Sequence, residues 1–271
     1  MDRVSVGPVN MGHAALPPTM HVIGGPRLVL PPPGAYTLPL LESQRESPST
    51  MTFRFSTEGT EFRYLSNQAI RLALPGVADP WGAVRSFSLS SSPSERGMLS
   101  VTCRISDTPF KQALARLKPG ETAQVYGPLG SFLLDTSRAC LFLAGGIGIT
   151  PFRGMLRYAA DTGVSSPLTL LYSARVPEEL VFRGELDRLA RSHPNFRVQY
   201  TVTRPEESTG PWSGRVGRID RGWLAAAGEL GNRPRVYVAG LPGMVEEMVE
   251  TLSGPLGVRG DDIDYELFRG F

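Results

Sequence analysis

Two hydrophobic periods divide the chain into unlike halves. Between residues 36 and 134, apolar side chains tend to recur at every second position, the spacing that places them on one face of a β-strand. Alternation is clearest in Phe53 and Phe55; Phe62 and Tyr64; Ile70, Leu72 and Leu74; and Leu99, Val101, Cys103 and Ile105. Because these runs are short and separated by Gly, Pro and Ser, this half is predicted to be an antiparallel β-barrel or sandwich, interrupted by one short helix over residues 110–117.

The pattern changes after residue 138, where short apolar runs alternate with segments of helical spacing. Strands are predicted over residues 141–144, 168–172, 196–203, 236–239 and 263–268. Helices are predicted between them from apolar faces such as Phe152, Met155, Leu156 and Ala159. Strands that alternate with helices favour a parallel sheet covered on both sides, so this half is predicted to be a five-stranded parallel α/β domain.

The predicted order is therefore a β domain followed by an α/β domain. A leader, residues 1–34, is rich in Pro and Gly, and its Pro31, Pro32 and Pro33 lack the amide donors that a strand requires. The β-barrel domain is predicted over residues 35–136 and the α/β domain over residues 137–271.

Composition excludes several classes of protein. The 271 residues are 41% hydrophobic and 20% charged, and the formal net charge of +2 is too small to indicate a nucleic-acid partner. The longest apolar stretch, residues 139–149, is interrupted by glycines and falls short of the roughly 20 residues that cross a bilayer. With no secretory signal recognised, we expect no membrane span and a cytoplasmic location.

The chain has two cysteines, Cys103 and Cys140, which are too few for an iron–sulfur cluster or a four-cysteine zinc site. Each lies among apolar neighbours, so both are predicted to be small buried hydrophobes, and free thiols suit a reducing compartment. The three histidines show no converging spacing, and no metal site is predicted.

The first motif with chemical potential is the glycine-rich segment Ala-Gly-Gly-Ile-Gly-Ile-Thr-Pro, residues 144–151. It joins a predicted buried strand to a helix, with Thr150 expected as the N-cap and Pro151 in the first turn. Glycines let the backbone approach a pyrophosphate, and a helix N-terminus offers free N–H groups and the positive end of its dipole. A purely structural glycine turn is the alternative, although the position at the first strand–helix junction favours the nucleotide site.

The second motif is Arg-Ser-Phe-Ser-Leu-Ser-Ser, residues 85–91, in the predicted barrel. Arg85 can pair with a phosphate, Phe87 can stack on an isoalloxazine ring, and Ser88 can hydrogen-bond near the ring nitrogen that takes hydride. The alternative is a serine-rich loop that follows a strand.

Together and in this order, the two motifs resemble those of the ferredoxin–NADP reductase superfamily of flavoproteins. Four further segments agree with this resemblance: Gly-Pro-Leu-Gly-Ser-Phe at 127–132, Tyr-Ser-Ala-Arg at 172–175, Ala-Gly-Leu-Pro-Gly-Met at 239–244 and Glu-Leu-Phe-Arg-Gly-Phe at 266–271. The resemblance covers about residues 36–271 and implies an FAD-binding barrel and a nucleotide-binding α/β domain, with hydride passing between them.

The resemblance also implies roles for individual residues. Toward FAD, the implied residues are Arg85 on the phosphate, Ser86 beside it, Phe87 on the ring, Ser88 at the N5 edge and Thr102 along the flavin. Toward the nicotinamide nucleotide, they are Gly146, Gly148, Thr150, Ser173, Arg175 and Gly240. Ser88 and Glu266 are the residues expected to support catalysis, while Phe271 would cover the second flavin face or the adenine. For Glu266 and Phe271, an exposed strand carboxylate and a frayed terminal residue are the alternatives.

The sequence departs from the family pattern at three places. Phe87 stands where tyrosine is usual, which preserves stacking but removes a phenol hydrogen bond. The segment at 106–113 contains Pro-Phe-Lys where plant-type members have Ser or Thr near a Gly, so the second phosphate contact is open. Ala239 stands where plant-type members carry cysteine; because the flavin supplies the redox chemistry, activity is expected without that thiol.

The resulting hypothesis is an FAD-dependent oxidoreductase that passes electrons from a nicotinamide nucleotide through flavin to an external acceptor. Ferredoxin, flavodoxin, an oxygenase component or a small oxidant are the expected acceptors. NADP(H) is expected over NAD(H), because Ser173 and Arg175 follow the second strand of the α/β domain, where a 2′-phosphate is recognised. The alternative is an FAD-binding electron-transfer or interaction subunit of a larger complex, with little turnover alone.

Overall fold

The computed structural model describes residues 32–226, 230 and 233–268. Its strands are β1 (Gly34–Ser47), β2 (Thr50–Ser56), β3 (Ala69–Ala73), β4 (Val84–Ser88), β5 (Met98–Arg104), β6 (Thr122–Leu129), β7 (Cys140–Gly145), β8 (Leu168–Ala174), β9 (Phe196–Val202), β10 (Arg215–Val216), β11 (Arg235–Gly240) and β12 (Ile263–Leu267). Its α-helices are α1 (Pro109–Arg116), α2 (Ile149–Asp161), α3 (Arg183–Ser192), α4 (Arg221–Ala226) and α5 (Pro242–Ser253). Among the described residues, no helix combines the length and the apolar composition needed to cross a bilayer.

The first six strands form one antiparallel sheet in the order β4-β3-β6-β1-β2-β5. Its two edges approach each other where Leu89, just after β4, bridges to Val101 of β5 and the Ser90 amide donates to the Ser100 carbonyl. The sheet thereby curls into the predicted barrel, which removes its exposed edges. Every second residue of β5 points into the core, where Leu99 and Val101 have no exposed surface.

The second sheet is parallel throughout, in the order β10-β9-β8-β7-β11-β12. Along β7, Phe142 and Ala144 join a core under α2 and α3, whereas Leu141 and Leu143 join a core under α4 and α5. Burial on both faces explains why β7 is apolar without alternation.

The predicted fold class is confirmed, with small differences in its elements. The parallel sheet has a sixth strand, because the two-residue β10 pairs with β9 after the chain returns to the sheet edge. Phe62 and Tyr64 alternate like a strand and are buried, yet they belong to no strand. The Tyr64 hydroxyl is hydrogen-bonded to Ser91 Oγ and to the Ser92 carbonyl. These side-chain contacts, rather than backbone pairing with a neighbouring strand, hold the segment in place.

The leader lies outside the described residues except for its last three positions. The boundary between residues 136 and 137 stays a prediction; β6 ends before it and β7 begins after it. Both cysteines are free and buried, as predicted.

Polar contacts join the two halves at several places. Glu179, after β8, accepts hydrogen bonds from Ser47 and Ser49 of the barrel at 3.0 and 2.8 Å. On the other side, Arg153 of α2 donates to the Ser90 carbonyl at 3.1 Å and pairs with Glu95. These contacts bring the end of β4 against the glycine-rich end of β7.

Candidate functional site

The carboxyl ends of β7 and β11 form the centre of the candidate site. From β7 the sheet continues through β8, β9 and β10 on one side, and through β11 and β12 on the other side. In open parallel sheets a ligand crevice forms where the strand order reverses in this way. The glycine-rich turn follows β7 and Gly240 ends β11, so both predicted nucleotide segments meet at this crevice.

Ser88 and Glu266 meet across the junction of the two halves, although 178 positions separate them. The Ser88 hydroxyl, at the end of β4, donates to Glu266 Oε1 at 2.5 Å. Glu266 reaches this place because β12 is in register with β11, with Glu266 opposite Ala239, and Ala239 in turn lies opposite Ala144 of β7. The two residues predicted to support catalysis are therefore in direct contact.

Burial raises the pKa of the Glu266 carboxyl above its ordinary value, and the hydrogen bond from Ser88 opposes this only in part. A carboxyl in this environment retains its proton to higher pH than an exposed one. The contact can therefore hold a proton at the junction of the two halves.

Arg85 lies in a second cluster at the N-terminal end of α1. Its Nη1 donates to the carbonyls of Trp81, Gly82 and Val84, and its guanidinium carbon lies 5.1 Å from the centre of the Phe110 ring. Nη2 lies 2.9 Å from Asp79 Oδ1 in an ion pair, but among the described residues no acceptor is aligned with Nε or Nη2.

Asp79 connects Arg85 to the first turn of α1. Its Oδ2 accepts the Phe110 amide at 2.9 Å, and its Oδ1 accepts the Trp81 amide at 2.8 Å. Burial alone would raise the pKa of Asp79, but these two amides and the Arg85 guanidinium hold it below its ordinary value. The Arg85 guanidinium and the α1 N-terminus therefore both favour a negatively charged group between them, which here is the Asp79 carboxylate.

This donor set fits an FAD phosphate. The Arg85 Nε atom is buried without an aligned acceptor and Nη2 pairs with the Asp79 carboxylate, while Thr108 caps α1 beside it by accepting the Lys111 amide. A phosphate here would lie beside the Asp79 carboxylate or displace it from the α1 amide. At the α1 N-terminus Asp79 already accepts the Phe110 amide and Thr108 accepts the Lys111 amide, so the second phosphate contact stays open.

Phe87 is more enclosed than a ring-stacking residue needs to be. Its ring is 8% exposed, stacks on Phe110 with centroids 6.3 Å apart, and has the Lys111 ammonium 4.6 Å from its centre. A flavin ring would reach this phenyl ring only if Lys111 moved aside, so stacking stays a prediction.

The neighbouring Ser86 is not brought to this cluster. It alternates to the opposite, exposed face of β4, because successive strand residues point to opposite faces. Its predicted role toward the cofactor stays a prediction.

The glycine-rich turn is a 3-10 turn, Gly146–Gly148, that leads into α2. Gly146 has φ +54°, a left-handed conformation that favours glycine. At Gly148, a Cβ would lie 2.1 Å from the Ala239 carbonyl oxygen, so this glycine lets α2 start directly against β11. Close packing of the turn is thus one reason for these glycines, beside any approach to a ligand.

Thr150 is not the N-cap of α2. The cap is Gly148, and Thr150 lies inside the helix, where its hydroxyl donates to the Ile147 carbonyl. Its side chain is 1% exposed. The expectation that Thr150 caps the helix is wrong because the preceding 3-10 turn shifts the helix start by two residues.

Thr102 lies on the face of β5 that points away from the barrel core. Its hydroxyl is 2.8 Å from those of Thr52 and Ser90, so the three form a buried row of hydroxyls. Ser90 lies two positions after Ser88 in the sequence. Its role along the flavin stays a prediction.

Arg104, which the sequence analysis missed, ends β5 and reaches across to the glycine turn. A Cβ at Gly146 would lie 2.9 Å from its Nη2 atom. Its side chain is exposed, so it is a cation that a dinucleotide pyrophosphate could meet from the barrel side. The alternation of Ser100, Thr102 and Arg104 on the face opposite Leu99 and Val101 could have indicated it.

Arg175 follows β8 and Arg204 follows β9. A backbone hydrogen bond joins the two residues, because the Arg204 amide donates to the Arg175 carbonyl at 2.8 Å. Ser173 is half-buried one position before the end of β8. Arg175 binds Glu207 through Nε and Nη2, at 2.5 and 2.8 Å. The role of Ser173 and Arg175 toward the nucleotide stays a prediction, and Arg204 is an additional cation at the same edge.

Two predicted residues remain. Gly240 lies at the end of β11, where a Cβ would lie 2.7 Å from the Met244 sulfur, so it belongs to the packed wall of the crevice. Phe271 falls outside the described residues.

Comparison with known proteins agrees with this geometry. The family described as "Oxidoreductase FAD-binding domain" matches residues 37–133, and the family described as "Oxidoreductase NAD-binding domain" matches residues 142–250. Ferredoxin–NADP reductase B of Sorangium cellulosum is 35% identical over 221 residues, which cover 78% of this chain and 88% of that protein. The toluate 1,2-dioxygenase electron transfer component of Pseudomonas putida is 29% identical over 210 residues, 77% of this chain but only 60% of that longer protein.

Solved structures share the fold. A ferredoxin NADP+ reductase from Neisseria gonorrhoeae with bound FAD and NADP superposes with a TM-score of 0.70 at 23% identity, covering 88% of this chain and 99% of that one. The ferredoxin reductase in carbazole 1,9a-dioxygenase gives a TM-score of 0.74 at 22% identity, covering 90% of this chain and 72% of that one. At these identities, the likeness concerns the fold alone.

Proposed function

The chain belongs to the ferredoxin–NADP reductase superfamily of FAD-dependent oxidoreductases, and from this premise we propose that it oxidises NADPH in the crevice between its two halves. Electrons pass from the nicotinamide nucleotide through FAD to an acceptor outside these 271 residues. The observation that carries the proposal is the contact between Ser88 and Glu266. It joins the arginine-led motif at residues 85–91 to the end of the parallel sheet, where the crevice lies.

The protein's own residues hold, orient and shield the reacting groups. Arg85 would hold an FAD phosphate, together with the N-terminus of α1 where that phosphate displaces Asp79, and Arg104 with the end of β7 would hold the pyrophosphate of the nucleotide. Bound FAD supplies the hydride-accepting ring, so no acid or base has to carry the main step. The Ser88 hydroxyl proton is held at the junction by its hydrogen bond to Glu266 Oε1.

NADP(H) is the preferred nucleotide in this proposal. Arg175 and Arg204 follow the ends of β8 and β9, where the 2′ position of an adenosine ribose is recognised in such sheets, and Ser173 lies near the end of β8. Guanidinium groups bind phosphate through charge-assisted, bidentate hydrogen bonds. The name of the Sorangium relative, which includes NADP, supports the same preference.

The acceptor is proposed to be a ferredoxin, a flavodoxin or an oxygenase component. Relatives carry the names ferredoxin–NADP reductase and dioxygenase electron transfer component. Two cysteines cannot ligate an iron–sulfur cluster within this chain, so the next electron carrier is a separate group. We also propose a cytoplasmic location, since Cys103 and Cys140 are both unpaired thiols.

Anaerobic absorbance spectroscopy tests this function. Purified protein reconstituted with FAD should show a flavin spectrum that NADPH bleaches faster than NADH, and it should then reduce ferricyanide with multiple turnovers. A protein that binds FAD but turns over slowly would instead favour the electron-transfer subunit. Failure to bind FAD at all would contradict both.

A further inference from the structure

Glu207 occupies the guanidinium that the proposed function assigns to the 2′-phosphate. It binds both Nε and Nη2 of Arg175, the same two-point arrangement by which arginine binds phosphate. The carboxylate is therefore a competitor for the group that would distinguish NADP(H) from NAD(H).

The fold holds Glu207 in this position. Glu178, in the turn after β8, accepts hydrogen bonds from Ser208 Oγ, the Thr209 amide and Thr209 Oγ1 at 2.8, 2.9 and 2.7 Å. The chain next to Glu207 is thus fastened to the turn that carries Arg175. The backbone bond between Arg204 and Arg175 fastens the same loop at its other end.

The pair is also open to exchange. Arg175 and Glu207 are 66% and 41% exposed, and exposed ion pairs of this kind contribute little because water competes for both partners. An incoming dianionic phosphate can take over Arg175, but it must then lie beside the displaced carboxylate. Glu206 adds a further negative charge next to it.

We propose that Glu207 is a specificity-determining residue for the nucleotide: it satisfies Arg175 when no 2′-phosphate is present and thereby limits the preference for NADP(H). This inference rests on the proposed function, because it takes the end of β8 as the 2′ site. Within it, Glu207→Gln releases Arg175 for phosphate without removing any proposed ligand.

The matched control is Glu206→Gln. It removes the same charge one position earlier, where the described structure shows no ion pair with Arg175. A general electrostatic effect would appear equally in both variants, whereas competition for Arg175 would appear only at Glu207.

The experiment is calorimetric titration of the full-length FAD-loaded protein with 2′-phospho-AMP and with AMP. Glu207→Gln should tighten binding of 2′-phospho-AMP roughly fivefold, since an exposed pair is weak, and leave AMP within about twofold. Glu206→Gln should change neither by more than about twofold. In an Arg175→Ala background, Glu207→Gln should lose its effect.

The outcomes separate this inference from the proposed function. If the wild type binds both probes equally but Glu207→Gln gains a preference for 2′-phospho-AMP, the NADP(H) preference is wrong and the role of Glu207 stands. If Glu207→Gln weakens 2′-phospho-AMP, leaves it unchanged, or acts equally in the Arg175→Ala background, the role of Glu207 is overturned, whatever the wild type prefers.

Discussion

At the scale of single residues, the site depends on charged and ionisable groups that the fold has partly removed from water. Arg85 is buried with its Nε atom lacking an aligned acceptor, and partial burial beside Ser88 raises the pKa of the Glu266 carboxyl. Such arrangements cost stability in the free protein, and ligands that satisfy them recover it.

Arg85→Gln should weaken FAD binding about tenfold to a hundredfold, because a hydrogen bond to a charged group contributes about 1.5–3 kcal/mol. Titration of apoprotein with FAD, followed by quenching of flavin fluorescence, measures this. Arg116→Gln, at the exposed end of α1, is the control and should bind FAD normally. Equal affinity in wild type and Arg85→Gln would remove Arg85 from the phosphate site.

Glu266 should make folding stability depend on pH. Its raised pKa means that the folded state holds a proton that the unfolded chain has released, so the free energy of unfolding falls as pH rises above the ordinary value of 4.5 and levels off above the raised pKa. Glu266→Gln should abolish this fall relative to wild type, whereas Glu246→Gln on the exposed face of α5 should preserve it. Urea unfolding at a series of pH values gives the comparison; parallel curves for wild type and Glu266→Gln would contradict the assignment.

At the scale of elements, the close contact between the start of α2 and the end of β11 shapes the crevice. The 3-10 turn before α2 allows this contact, and Gly148 is the residue through which the two backbones touch. The helix N-terminus is thereby brought to the strand ends, where its free amides can face a ligand.

Gly148→Ala should lower the free energy of unfolding by at least about 2 kcal/mol, because its methyl group would overlap the Ala239 carbonyl. Chemical denaturation measures the change. Gly243→Ala in the first turn of α5 is the control: nothing lies within 4 Å of its Cβ, and stability should change by less than about 1 kcal/mol. Similar effects of both substitutions would mean that the turn adapts.

At the scale of the whole molecule, a clamp of buried charges joins the two halves. Arg153 of α2 pairs with Glu95 of the barrel and with Glu185 of α3, and it also donates to the Ser90 carbonyl. All three charged side chains are less than one fifth exposed. Because the Ser90 carbonyl is two residues beyond Ser88 and belongs to the segment at 85–91, its bond to Arg153 fixes that segment relative to α2.

Arg153→Met should cost about 3–5 kcal/mol, since it leaves the poorly solvated Glu95 carboxylate without its partner and Glu185 with only a longer contact to Arg157. Loss of this clamp should also uncouple the halves, so that one calorimetric transition becomes two. The control is Arg218→Met, which removes an exposed pair with Glu247 away from the clamp and should cost less than about 1 kcal/mol. A single transition at the wild-type temperature in Arg153→Met would show that the clamp does not couple the halves.

Local pattern determined the fold class and most elements of this protein. The period of two in the first half and the alternation of apolar strands with helical faces in the second depend only on side chains a few positions apart. The glycine-rich turn at residues 144–151 and the arginine-led motif at residues 85–91 could also be recognised from sequence, because each is a continuous segment. The prediction of Thr150 as N-cap was wrong because a 3-10 turn, which packing sets, moves the start of α2.

Only the tertiary structure decided which distant residues meet. Ser88 and Glu266, Arg153 and Glu95, and Arg104 and Gly146 each come together through the docking of a barrel on a parallel sheet. Nothing in the spacing of these residues records that docking, because it is fixed by the sum of many surface contacts rather than by any periodic pattern. The ion pair between Arg175 and Glu207 also depends on tertiary structure. The sequence identified Arg175 as a cation, but the position of the neighbouring loop determines that Glu207 is its partner.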